Sequence, residues 1–193
     1  IRAIYVGGSG PSTPSGENTI DFITIASTGN AVDFGDETAS TTVEKSGGLA
    51  STTRGIIAGG SGLGNTISFL TIMTTGNTED FGDLTAAVTA NSGGGNATRG
   101  IIAHGHSTNT IDFITIATTG NAQDFGDRLQ NVYGHASCSS PTRMLTGGGY
   151  NGSSNNNIID FIEIATTGNS EDFGDLSLAR RSLGGTSNGH GGL

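Results

Sequence analysis

The chain has 193 residues and a formal net charge of −9, from 17 acidic and 8 basic side chains. That balance argues against direct binding to a phosphate backbone, which needs clustered Lys and Arg. The single cysteine, Cys138, excludes an intrachain disulfide, and no apolar run is long enough to span a bilayer.

All eight phenylalanines fall in pairs twelve residues apart: Phe22 and Phe34, Phe69 and Phe81, Phe113 and Phe125, Phe161 and Phe173. Successive copies are 47, 44 and 48 residues apart. A period in the forties is the mark of a repeat architecture, in which each unit is too short to bury a core alone. The repeats run approximately over 2–53, 54–98, 99–142 and 143–193. With no three-residue glycine period, the 34 glycines are read as turn formers in a β protein.

In chain order, each repeat opens with an Arg at an equivalent position, Arg2, Arg54, Arg99 or Arg143. A short aliphatic strand follows: Ile4-Tyr5-Val6-Gly7-Gly8, then Ile56-Ile57-Ala58-Gly59-Gly60, then Ile101-Ile102-Ala103-His104-Gly105, then Leu145-Thr146-Gly147-Gly148. Next comes a loop of changing length and content: 9–17, 61–64, 106–108 and 149–156. The long strand after it is rich in β-branched and aromatic residues, as in Thr110–Ala117. Thr-Gly-Asn punctuates every copy and is read as a tight hairpin. Asp-Phe-Gly-Asp forms a short returning strand, and a Gly/Ser-rich stretch holds one more weak strand, near Val132–Ser137 in the third copy. Each repeat thus supplies four strands in a meander.

The long strand is apolar on both faces. Side chains alternate, so Ile111 and Phe113 point one way while Ile114 and Ile116 point the other. Cover on both faces is expected from a sheet packed between two neighbours.

Asp-Phe-Gly occurs in protein kinases, but here it recurs four times with no phosphate loop beside it. Its first aspartates, Asp33, Asp80, Asp124 and Asp172, are read as turn-capping groups, with calcium binding the competing role. His104-Gly105-His106 offers two imidazoles but no local third ligand, so no metal and no cofactor are expected. His135 and His190 stand alone in glycine-rich loops. No nucleophile elbow and no recurring acid–base cluster appears, which argues against an enzyme. Asn96-Ala97-Thr98 and Asn151-Gly152-Ser153 fit the glycosylation pattern at chance level.

The aliphatic strand ending in Gly-Gly, the aromatic strand, the glycine hairpin and a Phe at the expected Trp position together resemble the kelch repeat. Leu178-Ala179-Arg180-Arg181 also resembles the kelch approach to an innermost strand. The resemblance covers nearly the whole chain and implies an all-β, kelch-like β-propeller of four repeats with four antiparallel strands per blade. The third copy departs from it at His104. The radical oxidase known on kelch propellers would need ligand tyrosines beside a Tyr–Cys crosslink. Tyr5, Tyr133 and Tyr150 make no such pattern around Cys138. The wording of the repeat, as in NTIDFITIATTGNAQDFGD, resembles structural and tail-fibre proteins of tailed phages of marine cyanobacteria. That resemblance implies a virion or extracellular location, with other virion or filament proteins or further copies of the chain as partners. The two ends are placed to complete one blade between them; alternatively the four copies belong to a larger ring or a longer array.

Variable loops on a rigid scaffold are where binding usually resides. The loops after the Gly-Gly strand share one face, so Glu17, His104, His106, Tyr150, Asn151 and Asn155 are the candidate binding residues. A host cell-surface glycan is the candidate ligand. A bacterial surface adhesin is the alternative, and a kelch-fold enzyme a second.

Overall fold

The structure, a computed structural model, describes residues 1–10, 13–106 and 108–188, with 13–15 described by their backbone alone. Among these residues there is no helix; fifteen strands form four antiparallel sheets. The first holds β1 (Arg2–Gly10), β2 (Thr13–Thr24) and β3 (Val32–Asp36). The second holds β4 (Gly47–Ala50), β5 (Arg54–Gly60), β6 (Gly64–Thr71) and β7 (Glu79–Asp83). The third holds β8 (Ser92–Gly95), β9 (Arg99–Ala103), β10 (Thr110–Thr115) and β11 (Gln123–Asp127). The fourth holds β12 (Ala136–Ser139), β13 (Arg143–Gly147), β14 (Ile158–Glu163) and β15 (Glu171–Asp175). Strands within each sheet are neighbours in sequence order.

Each four-stranded sheet therefore takes its innermost strand from the end of one sequence repeat and the other three from the next. The first sheet has three strands rather than four, because no described strand pairs with the inner edge of β1. The weak strand expected at Val132–Ser137 forms at Ala136–Ser139. Its start is set by a residue of positive φ two positions earlier, Gly134 at 68°. Lys45, Ala90 and Ser182 occupy the equivalent turn at 55°, 59° and 56°.

The three innermost strands pack side by side at a spacing only small residues permit. A Cβ on Gly93 would lie 2.5 Å from the Gly48 carbonyl oxygen. The Ser92 and Ser137 hydroxyls are hydrogen-bonded, and the Gly95 amide donates to Ser139 Oγ at 3.2 Å. Residues after β15 continue the row: a Cβ on Gly185 would sit 2.9 Å from the Ser137 carbonyl oxygen.

Alternation along the long strands places one apolar cluster in each gap between consecutive sheets. Ile20, Phe34 and Val43 meet Ile57, Leu63 and Leu70 in the first gap. Ile56, Ile67, Phe69 and Phe81 meet Ile102, Ile114 and Ile116 in the second. Ile101, Ile111 and Phe125 meet Met144, Ile162 and Ile164 in the third. The middle two sheets are covered on both faces, as the two-sided strands require. Each fully buried Ile contributes about 2–3 kcal/mol of transfer free energy.

The Phe spacing builds the same stack four times. In each repeat the two rings meet edge-to-face at 5.9–6.0 Å, and the repeat's Arg guanidinium lies 4.4–4.6 Å from the first ring. A bulge after Ile20, Ile67, Ile111 and Ile159 swings the second Phe inward.

Thr-Gly-Asn does not close a tight hairpin. Seven residues separate β10 from β11, and the motif instead docks on the outer strand of the preceding sheet. Gly76 N donates to Phe34 O, Gly120 N to Phe81 O and Gly168 N to Phe125 O, at 2.8, 2.7 and 2.8 Å. Two residues on, Thr78, Ala122 and Ser170 donate to Asp36, Asp83 and Asp127 carbonyls at 3.0, 2.8 and 2.8 Å. The side-chain oxygens of Asn77, Asn121 and Asn169 accept from the amides of the same three aspartates. Arg2, Arg54 and Arg99 each donate Nη1 to the carbonyl of Ile72, Ile116 or Ile164 in the next repeat, at 2.9, 2.9 and 2.8 Å. The edge strands of three sheets are in this way capped by the next repeat.

Candidate functional site

The Gly-Gly strand end explains why the third repeat is different. Gly7, Gly59 and Gly148 have φ of 57–68°, and Gly8, Gly60 and Gly149 have φ of 109–112°. In those repeats the second glycine's amide donates to Val43, Val88 or Arg180 O. A Cβ on the first of these glycines would lie 2.4 Å from Val43 O, 2.5 Å from Asn91 Nδ2 or 2.7 Å from Arg180 O, so a histidine does not fit that course and the third repeat takes another. His104 turns fully inward, and its Nε2 lies 2.9 Å from Asp112 Oδ2. Arg128 fills the gap left by the glycine amide: Nη2 donates to His104 O at 2.6 Å and to Val132 O at 3.0 Å.

His104 is therefore corrected from a surface binding candidate to a buried structural group at 0% exposure. Asp112, also at 0%, accepts from Thr85 N at 2.8 Å and Thr85 Oγ1 at 2.7 Å, tying the third sheet to the second. Asp160 makes the equivalent contact one joint later, accepting from Leu129 N and Ser170 Oγ at 3.1 and 2.9 Å. In the first joint a buried Glu37 accepts from Ser68 Oγ and Thr78 Oγ1 at 2.8 and 2.9 Å. Burial holds Asp160 above the usual carboxylate range and lowers Arg128 to about 10, so the arginine stays charged at neutral pH. His135, buried beside that charge, is lowered to about 3 and is neutral. These buried acids and bases lie between sheets; the two cavities that reach Arg128 hold about 10 Å³ each, too little for a substrate.

The other loop residues remain at the surface. His106 is exposed, and its ring centroid is 5.2 Å from that of Tyr133. Tyr133 meets Tyr150 edge-to-face at 5.5 Å, and Arg181 lies over Tyr150 at 4.2 Å. The two tyrosines are fixed by reciprocal backbone hydrogen bonds, Tyr133 N to Tyr150 O at 3.1 Å and Tyr150 N to Tyr133 O at 2.9 Å. The result is a continuous row, His106–Tyr133–Tyr150–Arg181, along the loops of the third and fourth repeats. Asn151 is exposed beside it, with Oδ1 accepting from Ser153 N and Ser154 N, both at 2.9 Å. Asn155 is exposed and bridges back to Tyr150.

Glu17 stands apart, half-buried within β2 of the first sheet, opposite Gly8. Sequence reasoning missed Tyr133 and Arg181, which sit in approach segments rather than in the variable loops.

The repeated aspartates lie on bulged strands rather than at turn tips. Asp124 Oδ1 and Asp172 Oδ1 accept from Gly126 N and Gly174 N at 3.0 and 3.2 Å; Asp33 and Asp80 occupy the same exposed position. Among the described residues no group of three or more His, Cys, Asp or Glu could hold a metal ion. His190 lies outside the described residues. No protein-family model matches the chain, and no curated protein matches its sequence.

Proposed function

We propose that the chain is a non-enzymatic structural protein, a kelch-like propeller segment of a phage tail fibre or similar virion part. Its loop face recognises a host cell-surface glycan. The observation that carries the binding role is the row His106–Tyr133–Tyr150–Arg181. Tyrosine rings offer flat apolar faces with a hydroxyl at the edge, and a guanidinium adds fixed donors, a combination suited to sugar rings. The row lies on loops held by two packed sheets, which limits the ordering cost of binding. The virion part of the reading is supported by the resemblance of the repeat wording to cyanophage structural proteins. A bacterial surface adhesin would use the same row.

The test is binding of the wild-type chain and a Tyr133→Ala/Tyr150→Ala variant to host cells and a glycan array. A folded variant that binds as well as wild type would sink the assignment of this face. Co-sedimentation of the native protein with phage particles, rather than with bacterial envelopes, separates the virion from the adhesin reading.

A further inference from the structure

The joint that links the sheets is made three times inside the chain, and its two halves are each left open once. On the fourth sheet, no described residue outside that sheet donates a backbone hydrogen bond to the outer strand. Phe173 is 54% exposed, whereas Phe34, Phe81 and Phe125 are 2–3% exposed. Nothing approaches a Cβ placed on Gly174, whereas Gly35, Gly82 and Gly126 all meet the next repeat's glycine. Arg143 pairs with Glu163 of its own sheet instead.

The first sheet shows the mirror image. Its Ser27-Thr28-Gly29-Asn30 segment is exposed and makes no backbone hydrogen bond to another sheet among the described residues, and no described atom lies within 4 Å of a Cβ on Gly29. Ile25 is 59% exposed, whereas its equivalents Ile116 and Ile164 are 1% and 0% exposed. Tyr5 is 58% exposed, whereas its equivalents Ile57 and Ile102 are buried. Beside β1 runs an open groove of about 670 Å³, lined by Arg2–Gly7 and by residues of the second sheet including Gly48, Leu49 and Ile56.

The missing strand has a counterpart at the other end. Gly184–Ser187 follows Asp175 at the spacing by which β12 follows Asp127, and is likewise made of small residues, Gly-Gly-Thr-Ser against Ala-Ser-Cys-Ser. It is exposed, stacked on β12, with Ser187 Oγ donating to Ser139 O at 2.6 Å. Among the described residues no hydrogen bond links the first sheet to the fourth. The three internal joints share one hydrogen-bond set at matching distances, so each turns the chain alike. Three such turns leave the two open halves of this molecule unjoined.

We propose that the open halves are joined between molecules, the fourth sheet of one copy receiving the first sheet of a second copy head to tail. The internal joints fix the contacts. Gly29 N and Ala31 N of the incoming copy donate to Phe173 O and Asp175 O, and Asn30 Oδ1 accepts from Asp175 N. Arg143 turns to the Ile25 carbonyl, and Phe173, Ile25 and Tyr5 are buried together. Gly184–Ser187 adds to β1 as its fourth strand. The register follows that of β12 on β13, where Ala136 faces Gly147 and Ser139 faces Met144. It places Gly184 opposite Val6 and Ser187 opposite Ala3. Such a contact is heterologous, so it builds rings or filaments rather than a two-fold pair. It stands whether or not the loop face binds a glycan.

The experiment is sedimentation velocity on wild type, Ile25→Asp, Phe173→Asp and a mixture of the two variants, with circular dichroism to show that each is folded. Wild type is expected to associate with rising concentration, and each variant to stay monomeric. The mixture is expected to form a dimer, because each variant keeps the half that the other lacks. Monomeric wild type, variants that still associate, or folded variants whose mixture stays monomeric would each overturn the proposal. A second measurement does not depend on those variants folding. Ala3→Cys and Ser187→Cys are combined in a Cys138→Ser background and oxidised. A disulfide between chains is expected; one within a single chain, or none, counts against the second copy as the occupant.

Discussion

Gly82 and Gly120 meet backbone to backbone: a Cβ on Gly82 would lie 2.6 Å from the Gly120 carbonyl oxygen. Gly82 belongs to the Asp-Phe-Gly-Asp strand of one repeat and Gly120 to the Thr-Gly-Asn segment of the next. The two motifs recur together because they are the two halves of one joint. Gly82→Ala combines that clash with a φ of 144°. It is expected to cost about 3 kcal/mol or more. Gly174→Ala, at 137° with nothing nearby, carries only the backbone term. Thermal unfolding of the two variants at low protein concentration, where each is monomeric, checks the difference.

Arg54 and Arg143 hold equivalent places but unequal partners. Arg54 reaches the Ile116 carbonyl of the next repeat, while Arg143 makes a half-exposed ion pair with Glu163. Surface pairs of that kind contribute about 0–1 kcal/mol. Arg54→Ala is expected to destabilise by about 1–2 kcal/mol more than Arg143→Ala, since it also leaves a carbonyl without its charged donor. Urea titrations of both variants measure this.

Asp112 and Asp21 form a second matched pair. Asp112 is buried and holds Thr85 and His104; Asp21 is partly exposed. Removing one partner from a buried network costs about 3 kcal/mol. Asp112→Ala is expected to lose about that much, and Asp21→Ala less than about 1 kcal/mol. Equal losses in denaturant titrations would contradict the buried-network assignment.

Stability should fall in mild acid through His135. Burial first, and the Arg128 charge second, lower it to about 3 from an ordinary 6.5. In that window the unfolded chain binds a proton that the folded chain refuses. The contribution is complete above the unfolded value and is lost as pH falls from there toward the folded value. The slope is about 1.4 kcal/mol per pH unit. Between about pH 7 and about pH 5 wild type should lose about 2 kcal/mol relative to His135→Gln. Parallel curves for the two proteins would place the histidine in contact with water.

Much of the architecture was legible in the residues themselves. The Phe pairs gave the period, and the two-sided strands foretold an apolar layer on each face. Ile111 and Phe113 do face the fourth sheet while Ile114 and Ile116 face the second. Such inferences are local: they need only the alternation of a strand and the spacing of turns.

The roles of the repeated polar motifs were not legible, because they depend on what the next repeat places opposite. Thr-Gly-Asn reads as a hairpin from its own residues and becomes a clasp only when Phe81 O and Asp83 O lie across from it. His104 reads as a surface ligand until Arg128 and Asp112, 24 and 8 residues away, enclose it. Tyr133 and Tyr150 become neighbours through two backbone hydrogen bonds that no spacing rule foretells. By itself the sequence determined the strands and their repetition, since propensity and periodicity act along the chain. Tertiary structure alone decided which groups are buried, which are paired and which faces stay open, since those depend on groups brought together across space.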